Sequence, residues 1–200
     1  MGHKVSLLFL LLIVGIILFF LLSPLMGKKD LPILGMPGHT VEAFKLIDQD
    51  GDTITSQKVD GTVRVVEFFF TTCRGICPIM NQHLRIVNEK FAGDSGVVIL
   101  SHTVNPAYDN PAVLKKYADA MGASAGKWYF FTGTKQVLYE LAAKSYLLNT
   151  DTISDLPVDT TFFHTPNVTL VDKEGRIRGF YDATDAKEVG RLMRDIGQLR

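Results

Sequence analysis

The run Thr62–Phe70, TVRVVEFFF, limits what this chain can fold into more than any other stretch. It is too short for a helix of ordinary length, and its β-branched and aromatic residues do not alternate with polar ones. That pattern predicts a strand covered on both faces. Such a strand is expected in a sheet sandwiched between layers, and the following residues carry the alternation forward. From Pro78 to Phe91, apolar residues fall at Ile79, Met80, Leu84, Val87 and Phe91, close to helical spacing. GVVILSHTV reads as a second buried strand. NPAVLKKYADAMG reads as a helix with Asn110 as N-cap, Pro111 at its first position and Gly122 just past its end. KWYFFTG supplies a third strand, Thr134 to Leu147 a further helix, and Asn149 to Thr160 a polar loop. NVTLVDKEGRIRGFY reads as a hairpin turning at Glu174-Gly175, and Asp185 to Leu199 as a closing helix.

Upstream, VEAFKLIDQDGDTITSQKV has two alternating runs around Asp50-Gly51, a dipeptide suited to a tight hairpin turn. DQDGD does not make a calcium loop, because Gly51 comes too early and no glutamate closes the twelfth position. The whole order predicts an α/β fold, a central mixed sheet with helices on both faces, in a thioredoxin-like arrangement.

The chain has 200 residues, enough for one domain of ordinary size, and its 21 basic and 21 acidic residues cancel. No net field recruits nucleic acid nonspecifically, and that class of function is set aside. The stretch Val5–Met26 carries no charge and is long enough to cross a hydrocarbon core as a helix. It lacks the shorter apolar core and clean small-residue cleavage site of a signal peptide, so an uncleaved anchor is expected over residues 1–29. Residues 30–40 are expected to form a linker and residues 41–200 the domain. Lys4 on one side and Lys28 and Lys29 on the other do not fix the orientation. MGHKVS fits a myristoylation pattern, but a full span makes a lipid redundant.

Two cysteines in the whole chain are too few for a disulfide scaffold, so Cys73 and Cys77 point to a site. Pro78 fits the first turn of a helix, which puts the helix start at about Cys77. The partial positive charge of a helix N-terminus stabilises a thiolate, and Cys77 is the expected reactive one. Arg74 and Gly75 let Cys73 fold back toward it, within disulfide reach or onto a shared ion. Thiolates select copper and other thiophilic ions, but two leave coordination incomplete and call for a third ligand. His39 lies in the linker, His83 is out of phase with the helix start, and His102 ends a buried strand as a hydrogen-bonded core residue. His164, just before the last hairpin in TTFFHTPNVTLVD, is the candidate third ligand, because in a thioredoxin-like sheet that loop packs beside the cysteine helix.

These residues together resemble the Sco/SenC family, membrane-anchored thioredoxin-like copper proteins that help assemble the dinuclear copper centre of cytochrome c oxidase. The resemblance covers nearly everything after the anchor: FKLIDQDGDTIT, FFFTTCRGICPIM, SHTVNPAYDNPAVLKKYA followed by WYFFTG, and HTPNVTLVDKEGRIRGFY. It implies that Cys73, Cys77 and His164 bind one copper ion. It also implies a domain facing the periplasm of a bacterial inner membrane or the equivalent mitochondrial intermembrane space. The implied partners are the copper-bearing subunit of cytochrome c oxidase and a thioredoxin-like reductant or copper donor. Two departures stand out. Asn105 occupies the position where the family's S-x-D-P places an acidic residue, and Pro166 stands where thioredoxin-like reductases carry a cis-proline. An alternative therefore accompanies the metallochaperone reading: a thiol-disulfide oxidoreductase in which Cys77 attacks and Cys73 resolves. A peroxidase is disfavoured, because nothing near Cys73 supplies the proline-threonine-arginine setting that chemistry uses.

Overall fold

The computed structural model describes residue 9 and residues 12–19, 30–148 and 165–200, which divide into two compact units, Met1–Leu31 and Pro32–Arg200. In the first unit residues 12–19 are helical, and among the described residues no helix is long and apolar enough to cross a membrane. Most of the stretch expected to form an anchor lies outside the described residues.

The second unit is built on β3 (Val63–Phe69), the strand with the continuous apolar pattern, and every residue of it is buried. It follows a short hairpin, β1 (Lys45–Ile47) and β2 (Thr53–Thr55), paired antiparallel. In the turn between them the Asp48 carboxylate accepts from the backbone N–H groups of Asp50 and Asp52, and Gly51 takes φ +85°. β3 lies parallel to β4 (Val97–Thr103), which lies parallel to β5 (Trp128–Phe131). On its other side β3 pairs antiparallel with β6 (Asn167–Val171), and β6 with β7 (Ile177–Asp182), giving the order β5-β4-β3-β6-β7. The expected mixed sheet is present.

Helices cover both faces. α1 (Ile76–Lys90) packs on β4 and against α2 (Pro111–Met121) and α4 (Ala186–Leu199). On the opposite face, Val66, Phe68 and Leu100 share a core with Phe44 and Leu46 from the hairpin side. Leu138 of α3 (Lys135–Glu140) and Tyr146 close that core. The expected helix over 134–147 is regular only to Glu140 and then widens into a π-turn, Leu141–Ser145, that buries Leu141, Ala142 and Ser145. The polar loop expected over 149–160 lies outside the described residues. α2 carries its expected caps: the Asn110 side chain accepts from Val113 N–H, and Gly122 sits in the left-handed region at φ +69°.

Two boundaries differ from expectation. The segment expected to be a linker is pinned to the domain. Leu34 bridges Ile177, Val41 N–H donates to Gly175 O at 2.8 Å, and the His39 ring meets Ser145 O at 3.0 Å. α1 begins at Ile76 with Gly75 as N-cap, so Pro78 is its third residue. A proline fits there as well as at the first position, because no N–H of the first turn has an intrahelical acceptor.

Candidate metal centre

The register of β3 and β4 sorts side chains between the faces. Glu67 stands opposite Ser101 and Phe69 opposite Thr103, while Phe68 stands opposite His102. Alternation therefore sends Glu67 to one face of the sheet and His102 to the other. The chain leaves β3 through a turn in which Cys73 N–H donates to Phe70 O at 3.2 Å, and it enters α1 at Ile76. Both cysteines are free thiols and buried, Cys73 at 9% exposure and Cys77 at 3%. Cys73 lines an open cavity of about 430 Å³ with Phe70, Thr72, Arg74, Gly75 and Ile76, whereas Cys77 is no part of its lining.

The early start of α1 reverses the expected roles of the two sulfurs. Burial works against a charged Cys73, but the Cys77 S–H and the backbone N–H groups of Cys77, Gly75 and Ile76 outweigh it and lower the Cys73 pKa. Cys77 is pushed up to about 12, first by burial and then because its proton is held by the Cys73 sulfur. The thiolate stabilised by the helix N-terminus is Cys73, not Cys77. The free N–H groups of a helix point outward from its first turn, and Cys73, just before it, meets them. Cys77 is instead fixed within the helix, where Asn81 Nδ2 donates to its carbonyl oxygen at 3.0 Å.

Two carboxyls support this arrangement, and neither stood out as a site residue in the sequence. Asp109 is fully buried ahead of α2. It accepts from Thr71 N–H at 3.1 Å and makes short hydrogen bonds with the hydroxyls of Thr71 and Thr103, tying the cysteine turn to the end of β4. Glu67 is also fully buried. Ser101 Oγ donates to it at 2.5 Å and in turn accepts from Trp128 Nε1 at 2.8 Å, while Glu67 Oε2 has no partner among the described residues. Burial, only partly offset by Ser101, raises its pKa to about 8, and its charge is one of the influences that raise Cys77. A glutamate inside an otherwise apolar strand was the available signal for Glu67. For Asp109 it was an aspartate directly before the helix cap Asn110.

The histidines divide as follows. His83 donates from Nδ1 to the Ala183 carbonyl oxygen at 2.6 Å, and His39 donates from Nε2 to the Ser145 carbonyl oxygen. His102 is fully buried, as expected, but among the described residues neither of its ring nitrogens has a well-formed hydrogen bond; it stacks on Phe68 at 4.9 Å instead. His164 lies outside the described residues, and among the described residues no three His, Cys, Asp or Glu side chains gather as a metal-binding group. No cis peptide occurs among the described residues, so the bond before Pro166 is trans. The Asn105 backbone is held by Thr103 Oγ1 and by donation from Tyr108 and Asp109, and the buried carboxylate of this loop is Asp109. Two adjacent thiols, one already polarised toward thiolate, fit a thiophilic ion that brings or finds a third ligand.

Known proteins resemble this chain in sequence and in fold. An SCO2-like protein of Rickettsia typhi is 30% identical over 196 residues, covering 93% of each chain, and an SCO1 protein homolog of Bacillus subtilis is 28% identical over 160 residues, covering 79% of this chain and 81% of its own. The solved structure of BsSco, a member of the Sco family of cytochrome c oxidase assembly proteins with an identified disulfide switch, superposes with a TM-score of 0.70 at 28% identity. It covers 86% of this chain and 98% of its own. Yeast Sco1 with copper bound shares the fold with a TM-score of 0.59 at 24% identity, over 80% of this chain and 89% of its own. Residues 35–199 match the SCO1/SenC family, to which this chain belongs.

Proposed function

We propose that this protein is a membrane-anchored copper metallochaperone. It delivers copper to the dinuclear copper site of cytochrome c oxidase, or prepares the thiols of that site. The observation that carries the reading is the pair Cys73 and Cys77 at the mouth of α1 in an SCO1/SenC domain, with Cys73 lining an open cavity and Cys77 behind it in the first turn. Cys73, Cys77 and His164 are the proposed ligands, the softness of the two sulfurs giving the preference for copper. Here copper is cargo: it must be held firmly enough to be carried and released to a partner with ligands of its own. The proposed location is a single-pass anchor in a bacterial inner membrane with the domain in the periplasm, or the corresponding mitochondrial compartment. The apolar side chains of residues 12–19, 42–65% exposed, support an apolar environment for that segment.

A second reading rests on the polarised thiol pair. In thiol-disulfide exchange the Cys73 thiolate would attack a partner disulfide, forming a mixed disulfide and expelling one partner thiolate. Cys77 would then lose its proton and attack the Cys73 sulfur, releasing the partner's second thiol and closing a Cys73–Cys77 disulfide. The two activities are compatible, since copper loading requires both cysteines reduced.

The test is a titration of Cu(I) into the reduced full-length chain in detergent against a competing chelator. Wild type is expected to bind one equivalent, and His164→Ala to lose at least about 100-fold in affinity, about 2.7 kcal/mol, while retaining dithiol exchange. Copper binding indifferent to His164 would overturn the three-ligand reading and leave the exchange reading standing.

A further inference from the structure

At the start of β3, on the opposite face of the sheet from Glu67, Arg64 is 3% exposed and lines a cavity of about 290 Å³. A buried guanidinium is costly unless its charge and its donors are met. Arg64 is poorly met. Among the described residues its Nε has no partner, Nη2 reaches only the Asp172 carbonyl at 3.5 Å, and Nη1 stands 3.9 Å from the Asp60 carboxylate. The nearby acids are otherwise engaged. The Asp172 carboxylate accepts from Arg176 Nε and Arg178 Nη1, both at 2.8 Å, and Glu174 from Arg176 Nη2 at 2.9 Å. Asp60 itself is 60% exposed, a weak and displaceable counterion.

The rest of the cavity suits an acceptor from outside. Thr40 and Ser56 bring hydroxyls to its lining and Lys173 a second cation, while the Glu174 carboxylate, also in the lining, is paired with Arg176. Gly175, at φ +81°, brings bare backbone beside Arg64 Nη2, where a Cβ would be in van der Waals contact at 3.4 Å. We propose that this cavity is a binding site for a small oxyanion, a phosphate or a free carboxylate, which takes Asp60's place against Arg64 and is held by Lys173 at the rim. The site lies at the opposite end of β3 from the cysteine turn and does not depend on the copper reading.

The test is thermal unfolding of the full-length chain in detergent, with sodium phosphate in one arm and sodium acetate in the other, each against sodium chloride at equal ionic strength. At least one anion is expected to raise the melting temperature in a saturable way. A rise with phosphate alone would identify a phosphate site, and with acetate alone a carboxylate site. Asp60→Asn, at an exposed position, should tighten the anion about threefold by removing the competitor, and Lys173→Gln should weaken it by a similar factor. Arg64→Met should abolish the effect, and the two rim variants keep the test decisive if that variant does not fold. No rise beyond chloride in either arm, or the same rise in all variants, would overturn the proposal.

Discussion

Glu67 and His102 are neighbours across β3 and β4, both fully buried, yet they occupy opposite faces and opposite chemical settings. Glu67 is the end of a polar chain, Trp128 to Ser101 to carboxyl, on the face against which α1 packs, and once ionised, above about pH 8, its charge raises the Cys77 pKa. His102 is surrounded by the rings of Phe44, Phe68, Phe131 and Tyr146, and burial holds its pKa down to about 4. Burial makes both groups neutral at pH 7, one by keeping a proton and the other by refusing it. Only the first is electrically connected to the thiols. A buried ionisable group is therefore no sign of a site by itself; the face it shares decides.

The largest effect is expected at Glu67. Its pKa in the folded chain, about 8, lies above the ordinary carboxyl value of 4.5, so the unfolded chain ionises first. Its contribution to stability is complete below pH 4.5 and is lost as pH rises toward 8, in total on the order of 4 to 5 kcal/mol. Glu67→Gln is expected to flatten that part of the stability profile measured by urea unfolding from pH 5 to 9. It is also expected to lower the Cys77 pKa, followed by the pH dependence of alkylation in Cys73→Ser. An unchanged profile would show that the carboxyl is already ionised in the fold.

Asp109 should come next. Replacing it with alanine leaves the Thr71 N–H and two threonine hydroxyls without their acceptor, a loss of about 3 kcal/mol. Hydrogen exchange at Thr71 should accelerate far more than exchange in β7. Equal acceleration at both would mean that Asp109 supports the fold as a whole rather than the cysteine turn.

On the other face the sign is opposite. The folded pKa of His102 lies below the ordinary value of 6.5, so the stability tied to its neutral form is complete above pH 6.5 and is lost as pH falls toward 4. The loss at pH 5 is roughly 2 kcal/mol. His102→Phe keeps the stack on Phe68, removes two poorly bonded nitrogens and should erase that acid limb without altering thiol reactivity. A changed alkylation rate at Cys73 would erase the distinction between the faces.

The sheet and most of its helices were legible because apolar runs, proline and glycine positions and Asn110 all pointed the same way. The two thiols were legible as a pair, but their roles were not. Those depend on which sulfur the backbone N–H groups of residues 75–77 reach, which hydrophobic periodicity does not resolve. The partners of Asp109 escaped for a different reason. They come from Thr71 and Thr103, far from it or on another element, and only folding brings them together. Arg64 was hidden inside the very run that revealed the strand, since an isolated charge in an apolar run carries no sign of what surrounds it.

Asn105 gives the smallest expected effect and the finest test of the same distinction. The family pattern places an acid there, and an acid beside the cysteine loop would be expected to matter if its carboxylate held the loop. In this chain the loop is held otherwise: Asn105 N–H donates to Thr103 Oγ1 at 3.0 Å, its carbonyl accepts from Tyr108 and Asp109 N–H, and the side chain of Asp109 bonds both threonines. Among the described residues the Asn105 hydrogen bonds that shape the loop run through its backbone, which an aspartate would reproduce. Asn105→Asp should therefore change stability by no more than about 0.5 kcal/mol and leave the Cys73 alkylation profile in place. A larger shift in that profile would mean that a charge at position 105 reaches the thiols through the loop.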